Sequence, residues 1–303
     1  MRVLVTGATG FVGGHVVKHL LDAGMQVTTF GRLQRSTELP ATVASLQGDV
    51  VTSEGLAAAM SGVDAVVHLV GIIRERGGAT FERVHVEGTR NVLAAAARAG
   101  VPRLVHMSAL GAGVGSSSGY HRSKAAAEEL VRSSAAAWTI MRPSLIFGVG
   151  DAFFGGTLRN LVTQPPVIPV VGSGEYPFSP VWIDDVATAF VRALERPTTV
   201  GGSFDLVGPR EYTLRELLVL VRETLGLNRP LVNIPLPLMR VGVALFRLLP
   251  NPPITRDELI MLLAGNTGDP RPAVEAFGLE LAALEEHLAT ILSNRRSRQV
   301  LRA

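Results

Sequence analysis

The stretch "RVLVTGATGFVGGHVVKHLLDAG" leaves this 303-residue chain few folds to choose from. A short β-branched run leads into Gly7, Gly10 and Gly13, and then into Val12, Val16, Leu20 and Leu21 at helical spacing, with Gly24 as a stop. Strand, bare turn and helix in that order bring exposed backbone amides and a helix N-terminus to one place. That place suits a diphosphate, because the amides point at it and the helix dipole favours its charge. The glycines are spaced G-x-x-G-x-x-G rather than G-x-G-x-x-G, but the needs are alike: a tight turn, close approach of a pyrophosphate and close helix-on-strand packing.

Similar units follow. "QVTTF", "DAVVHLVG", "RLVHMSA" and "WTIMRP" read as strands, and "GLAAAM", "GTRNVLAAAARAG" and "SKAAAEELVRSS" as helices. Alternation of this kind predicts a Rossmann-like α/β fold, a doubly wound parallel sheet with ligands at the carboxyl ends of its strands. The expected dinucleotide-binding domain is 1–150, with a returning segment near 180–208 in which "GSFDLVGP" adds a strand. Residues 151–303 are expected to form mainly a smaller, mostly helical lobe that binds substrate or partner. "WIDDVATAFVRALERP" predicts a helix entered through Asp184 and Asp185, one of them its N-cap.

A site that prefers NAD places an acid about 20 residues beyond the glycines, on the ribose hydroxyls. Here "TTFGRLQRS" offers Arg32 and Arg35 instead, and a guanidinium forks onto a phosphate. NADP(H) is therefore expected over NAD(H). Asp49 and Val50, in "QGDVV", are expected to border the adenine.

Lys124 is one of two lysines in a chain with 29 basic residues, and Tyr120 precedes it by four. With three tyrosines in 303 positions, chance produces such a pair roughly 2% of the time. On a helix the two share a face, and an ammonium beside a phenol favours phenolate, so Tyr120 is expected to have a lowered pKa and Lys124 to reach the nicotinamide ribose.

"TGATGFVG", "GDV", "YHRSK" and "MRPSLIFGVGD" together resemble the extended branch of the short-chain dehydrogenase/reductase family. "VHVEGTRNVLAAAARAG", "HMSALGAG", "PVWIDDVATAF", "FDLVGPREYTLREL" and "PPITRDELIMLL" are similar to its atypical group, which includes the NADPH-binding accessory subunit of respiratory complex I. The resemblance implies Tyr120, Lys124 and Ser108 as catalytic candidates. It implies Gly7, Thr9, Gly10, Phe11, Val12, Gly13, Leu69, Val70, Gly71 and Pro143, with Tyr120, Lys124, Arg32, Arg35, Asp49 and Val50, as cofactor positions. Active members carry Asn in N-V-x-G-T and a Ser-Ser pair after the fifth strand; this chain has His85 and Ser108-Ala109, with Ser116, Ser117 and Ser118 as other hydroxyls. The cofactor positions are intact while two proton-transfer positions are altered, so slow or absent turnover is expected.

Zero cysteines exclude disulfides and thiolate metal sites, and no metal is expected. The net charge of +3 is spread out except in the tail "NRRSRQVLR", so no nucleic-acid partner is expected. No stretch reaches the roughly 18 apolar residues of a membrane span, and "MRVLVTG" lacks the apolar core of a signal peptide. The expected location is cytoplasmic, with peripheral contact at the inner face of a membrane or with a membrane complex. "IPLPLMRVGVALFRLLP" has only Arg240 and Arg247 as charges, which suits a core helix, a membrane surface or a cover over a lipophilic ligand such as a quinone. The leading expectation is an NADP(H)-binding protein serving a membrane-associated redox or quinone-related system. The alternatives are an active oxidoreductase or epimerase using Tyr120 and Lys124, and a regulator that senses cofactor redox state.

Overall fold

The computed structural model describes residues 1–32, 40, 43–246, 249 and 252–293. Arg35, Arg247 and the arginine tail lie outside the described residues. The described chain divides into two compact units, the first made of Met1–Pro143, Ile183–Leu206 and Asp269–Glu280, the second of Ser144–Trp182, Val207–Gly268 and Leu281–Ala303.

The first unit is built on seven strands: β1 (Arg2–Thr6), β2 (Gln26–Gly31), β3 (Ala44–Gln47), β4 (Ala65–His68), β5 (Arg103–Met107), β6 (Ala137–Pro143) and β7 (Ser203–Leu206). Their order is β7-β6-β5-β4-β1-β2-β3, and every pairing is parallel. Parallel pairing needs crossovers, supplied among others by helices α1 (Phe11–Asp22), α2 (Leu56–Ala59), α3 (Gly88–Ala99) and α4 (Gly119–Arg132). Central strands are apolar on both faces because helices cover both: β4 reads Ala-Val-Val-His with all four residues buried. The chain reverses direction across the sheet between β1 and β4, and at such a switch point the loops after the two strands open a crevice.

"GSFDLVGP" does return to this sheet, pairing Ser203 with Ile140 and Leu206 with Pro143. The helix α5 (Ile183–Glu195) starts two residues earlier than an Asp cap requires, so Asp184 and Asp185 stand inside its first turn. Asp184 is occupied elsewhere: its Oδ1 pairs with His15 Nδ1 at 2.8 Å and His19 Nε2 at 3.2 Å, both on α1. Those two histidines hold its carboxyl far below the usual range. The N-cap expectation is therefore corrected to a side-chain tie between α1 and α5.

The second unit has its own core, in which Phe147, Phe154, Ile168, Leu217, Leu218 and Ile291 pack together. Strands Ile168–Val171 and Leu231–Ile234 pair in parallel. The helices Leu214–Thr224 and Arg256–Ala264 each open on a capping box, Thr213 with Glu216 and Thr255 with Glu258, which satisfies two orphan donors apiece. No described helix is long and apolar enough to cross a membrane.

Candidate functional site

The glycine turn follows β1 and leads into α1. Gly7 has φ +80°, and a Cβ there would stand 3.0 Å from the Leu69 carbonyl carbon and the Val70 nitrogen, so the turn lies directly on the segment after β4. A Cβ on Gly13 would lie 2.2 Å from Gly7 O, which explains why the first turn of α1 can sit so close beneath the loop. Gly10 is the N-cap of α1 in extended conformation, exposed, and its added Cβ would meet only Gly7 O at 3.3 Å. No side chain caps this end and no acid lies in the first turn. The amides of Phe11, Val12 and Gly13 have no carbonyl a turn earlier to bond, so an uncapped positive helix end lies beside a bare backbone. The cradle fits a diphosphate.

Thr9 is exposed beside Gly10, Phe11 packs edge-on against His15 at 5.7 Å, and Val12 is buried. Arg32 is exposed immediately after β2, where its carbonyl accepts from Gln47 Nε2. Asp49 accepts the Val51 amide at 2.8 Å, and Val50 is buried against Leu4 and Phe30. Asn91 pins that segment by donating to the carbonyls of Val50 and Val51 at 2.9 Å each.

Tyr120 and Lys124 both lie on α4, whose N-cap Ser118 accepts the His121 amide. Lys124 is buried and donates Nζ to Met107 O at 3.0 Å, at the end of β5. Gly71 lies over it: a Cβ there would be 3.1 Å from Nζ and 3.4 Å from His85 Nε2. Burial brings the lysine pKa down to about 8. For Tyr120 the expected lowering is corrected, since burial pushes its hydroxyl up to about 12. The cost of a phenolate among packed rings outweighs the ammonium four residues on: Tyr120 meets Phe81 at 5.9 Å and His85 at 5.5 Å, both edge-on.

His85, standing in the family's Asn position, has a defined tautomer. The Ile72 amide donates to Nε2 at 3.0 Å, so the proton is on Nδ1 and goes to Ser123 Oγ at 2.8 Å. Ser123 in turn donates to Tyr120 O at 2.8 Å. Burial and the nearby lysine bring His85 down to about 2, so it is a neutral link between the segment after β4 and the start of α4.

Ser108 is buried and extends the β5–β6 ladder through its amide, bonded to Met141 O at 2.7 Å. Its Oγ has no hydrogen bond of ordinary geometry. The hydroxyl is near the Glu128 carboxylate, on which Arg142 closes at 2.7 and 2.6 Å and Arg132 at 2.7 Å. Burial disfavours the Glu128 charge, but Arg142, with smaller help from Ser108 and Arg132, outweighs it and holds the carboxyl below its ordinary range. Ala109 follows, buried. Ser116 accepts the Ser118 amide and Ser118 caps α4, so those two hydroxyls shape the turn, while Ser117 is exposed. Pro143 is buried at the end of β6, its carbonyl accepting the Leu110 amide at 3.0 Å.

Sequence reasoning missed His68 and His106, which face each other in the register of β4 and β5 with ring centroids 5.4 Å apart. His68 bridges Thr6 and Thr89, while neither His106 nitrogen has a partner. Burial brings His68 down to about 3 and His106 well below its usual range, so Lys124 is the one cation of this cluster at neutral pH. The signal was available, because each of these strands has a histidine at its fourth position.

Residues 3–206 match the NAD dependent epimerase/dehydratase family. The chain belongs to that family. As a family member it is 32% identical, over 97% of its length and 80% of the relative's, to mouse NADH dehydrogenase (ubiquinone) 1 alpha subcomplex subunit 9, mitochondrial. The Arabidopsis thaliana subunit of the same name is 30% identical over 79% of the chain, which spans 62% of that protein. A ceramide reductase of Caulobacter vibrioides is 32% identical over 78% of the chain and 74% of its own. Among solved structures, DesIV, a dTDP-glucose 4,6-dehydratase from Streptomyces venezuelae with NAD bound, superposes with TM-score 0.77 at 22% identity over 99% of this chain and 98% of that one, a likeness of fold.

Proposed function

We propose that this chain binds a nicotinamide dinucleotide at the carboxyl ends of β1 and β4, NADP(H) in preference to NAD(H), and serves a membrane-associated redox or quinone-related system with slow or absent turnover. Gly7, Gly10 and Gly13 would hold the diphosphate, Arg32 the extra phosphate, and Lys124 beneath Gly71 the nicotinamide ribose. When bound, the cofactor supplies hydride chemistry. The chain's own residues orient it and shield it from water.

One observation carries the reading: the uncapped cradle is fully built, whereas the proton-transfer half is not. Tyr120 is pushed up to about 12, and Ser108 has Glu128 beside it with Ala109 next in line. A general acid or base works best with a pKa near the working pH, and Tyr120 is far from it. Relatives named for NADH dehydrogenase (ubiquinone) support the redox assignment.

A second reading is an active reductase of a lipophilic carbonyl compound, with Tyr120 as proton donor and Ser108 polarising the carbonyl. The ceramide reductase relative and the shared helix of Tyr120 and Lys124 favour it. Mass spectrometry of the small molecule that purifies with the protein, together with NADPH oxidation by wild type and Tyr120→Phe, separates the two. The proposal expects bound NADP(H) and equal, near-background oxidation in both proteins. Substrate-dependent oxidation abolished by Tyr120→Phe would replace it with the reductase.

A further inference from the structure

Helix α6 (Leu236–Phe246) in the second unit is turned against the usual pattern. Val243 is its buried residue, while Leu238, Val241 and Leu245 are 62, 57 and 62% exposed. Their spacing of three and four puts them on one face, joined by the exposed Pro237 and Ala244. Leu249, just beyond the helix, is 49% exposed. A surface helix ordinarily gives such a face to the core and its charged residues to water. Here the face toward water is aliphatic, and the helix has a single charge, the exposed Arg240 on its flank.

The sequence around the helix is one-signed as far as Asp257 and Glu258, which open the next helix. Between Glu223 and Asp257 the chain has no acid and four arginines, Arg229, Arg240, Arg247 and Arg256. Arg229 is spent internally on the carbonyls of Val162, Thr163 and Pro165. Arg240 makes no ion pair among the described residues, and Arg256 is exposed at the start of the next helix. Leu238, Val241 and Leu245 together expose on the order of 300 Å², so two copies meeting face to face would bury only about half of what a specific dimer needs. An aliphatic face with a flanking guanidinium matches a bilayer interface, where the side chains enter the acyl boundary and the cation stays with anionic headgroups.

We propose that α6 docks this protein on an anionic phospholipid surface through Leu238, Val241 and Leu245, with Arg240 at the headgroups. This deepens the membrane-associated reading above and is independent of the dinucleotide cradle. The test is co-sedimentation of the full chain with vesicles of phosphatidylcholine alone or mixed with phosphatidylglycerol, with dinucleotide binding measured on the same preparations. Wild type should pellet with the mixed vesicles and only weakly with phosphatidylcholine. The double variant Leu238→Asp/Leu245→Asp should bind at least about tenfold more weakly, and Arg240→Gln about fivefold more weakly, with thermal unfolding and dinucleotide affinity unchanged. Wild type remaining in the supernatant, or the double variant pelleting like wild type, would overturn the docking while leaving the cofactor proposal intact. So would self-association abolished by the double variant without vesicle binding, which would assign the face to a second copy.

Discussion

Lys124 spans from α4 to the end of β5, its Nζ donating to the Met107 carbonyl at 3.0 Å from a buried position. It is the cation of a cluster whose three histidines are held neutral by burial. A buried ammonium is unfavourable for folding, a cost that the proposed contact with a nicotinamide ribose would offset.

That tension has a pH signature. The Lys124 pKa falls from 10.5 to about 8 on folding, so between those values the unfolded chain binds more protons and stability attributable to this residue rises with pH. Relative to Lys124→Met, wild type should gain on the order of 3 kcal/mol as pH rises through that window. At pH 7 the variant should be the more stable protein in the absence of cofactor, and the weaker binder of dinucleotide. Urea unfolding at pH 7 and pH 10 measures the first effect. A pH-independent difference would mean that the lysine is not desolvated as placed.

The glycine turn gives a paired prediction within one helix. A methyl group on Gly13 runs into Gly7 O at 2.2 Å, so Gly13→Ala should cost about 3 kcal/mol or more and abolish dinucleotide binding. Gly14, its neighbour, meets nothing within 4 Å, so Gly14→Ala should raise stability by up to about 1 kcal/mol with binding kept. Denaturant midpoints of the two variants check this. Similar effects in both would contradict the packing described.

Much of this was legible along the chain. The parallel sheet, the glycine turn and the returning strand at Ser203–Leu206 follow from local patterns, because a buried strand and a tight glycine turn need particular residues at short range. What was not legible depends on pairs far apart in sequence. Asp184 reads as a cap until His15 and His19, 169 and 165 residues away, claim it. The Tyr120 pKa reads as lowered because spacing shows the lysine, whereas the rings of Phe81 and His85 that desolvate the phenol arrive from another element.

The surroundings of Ser108 rest on an ion pair that neither residue announces. Arg142 on β6 forks onto the buried Glu128 of α4, and removing it leaves that carboxylate with Arg132 as its remaining charged partner. Arg142→Met should therefore destabilise by about 3 kcal/mol, with Arg132 limiting the loss. In the double variant Arg142→Met/Glu128→Gln most of that stability should return. Chemical denaturation of wild type, Arg142→Met, Glu128→Gln and the double variant measures the coupling, and additive losses would show that the pair does not act as one.

Calorimetric titration of the purified, nucleotide-stripped chain with NADPH and with NADH tests whether a dinucleotide lies over the amides that follow β1. The predicted result is one site per chain, tighter for NADPH, with the NADPH advantage reduced by Arg32→Ala. Absence of heat or saturation with either nucleotide at millimolar concentration, from protein that unfolds cooperatively, would contradict it.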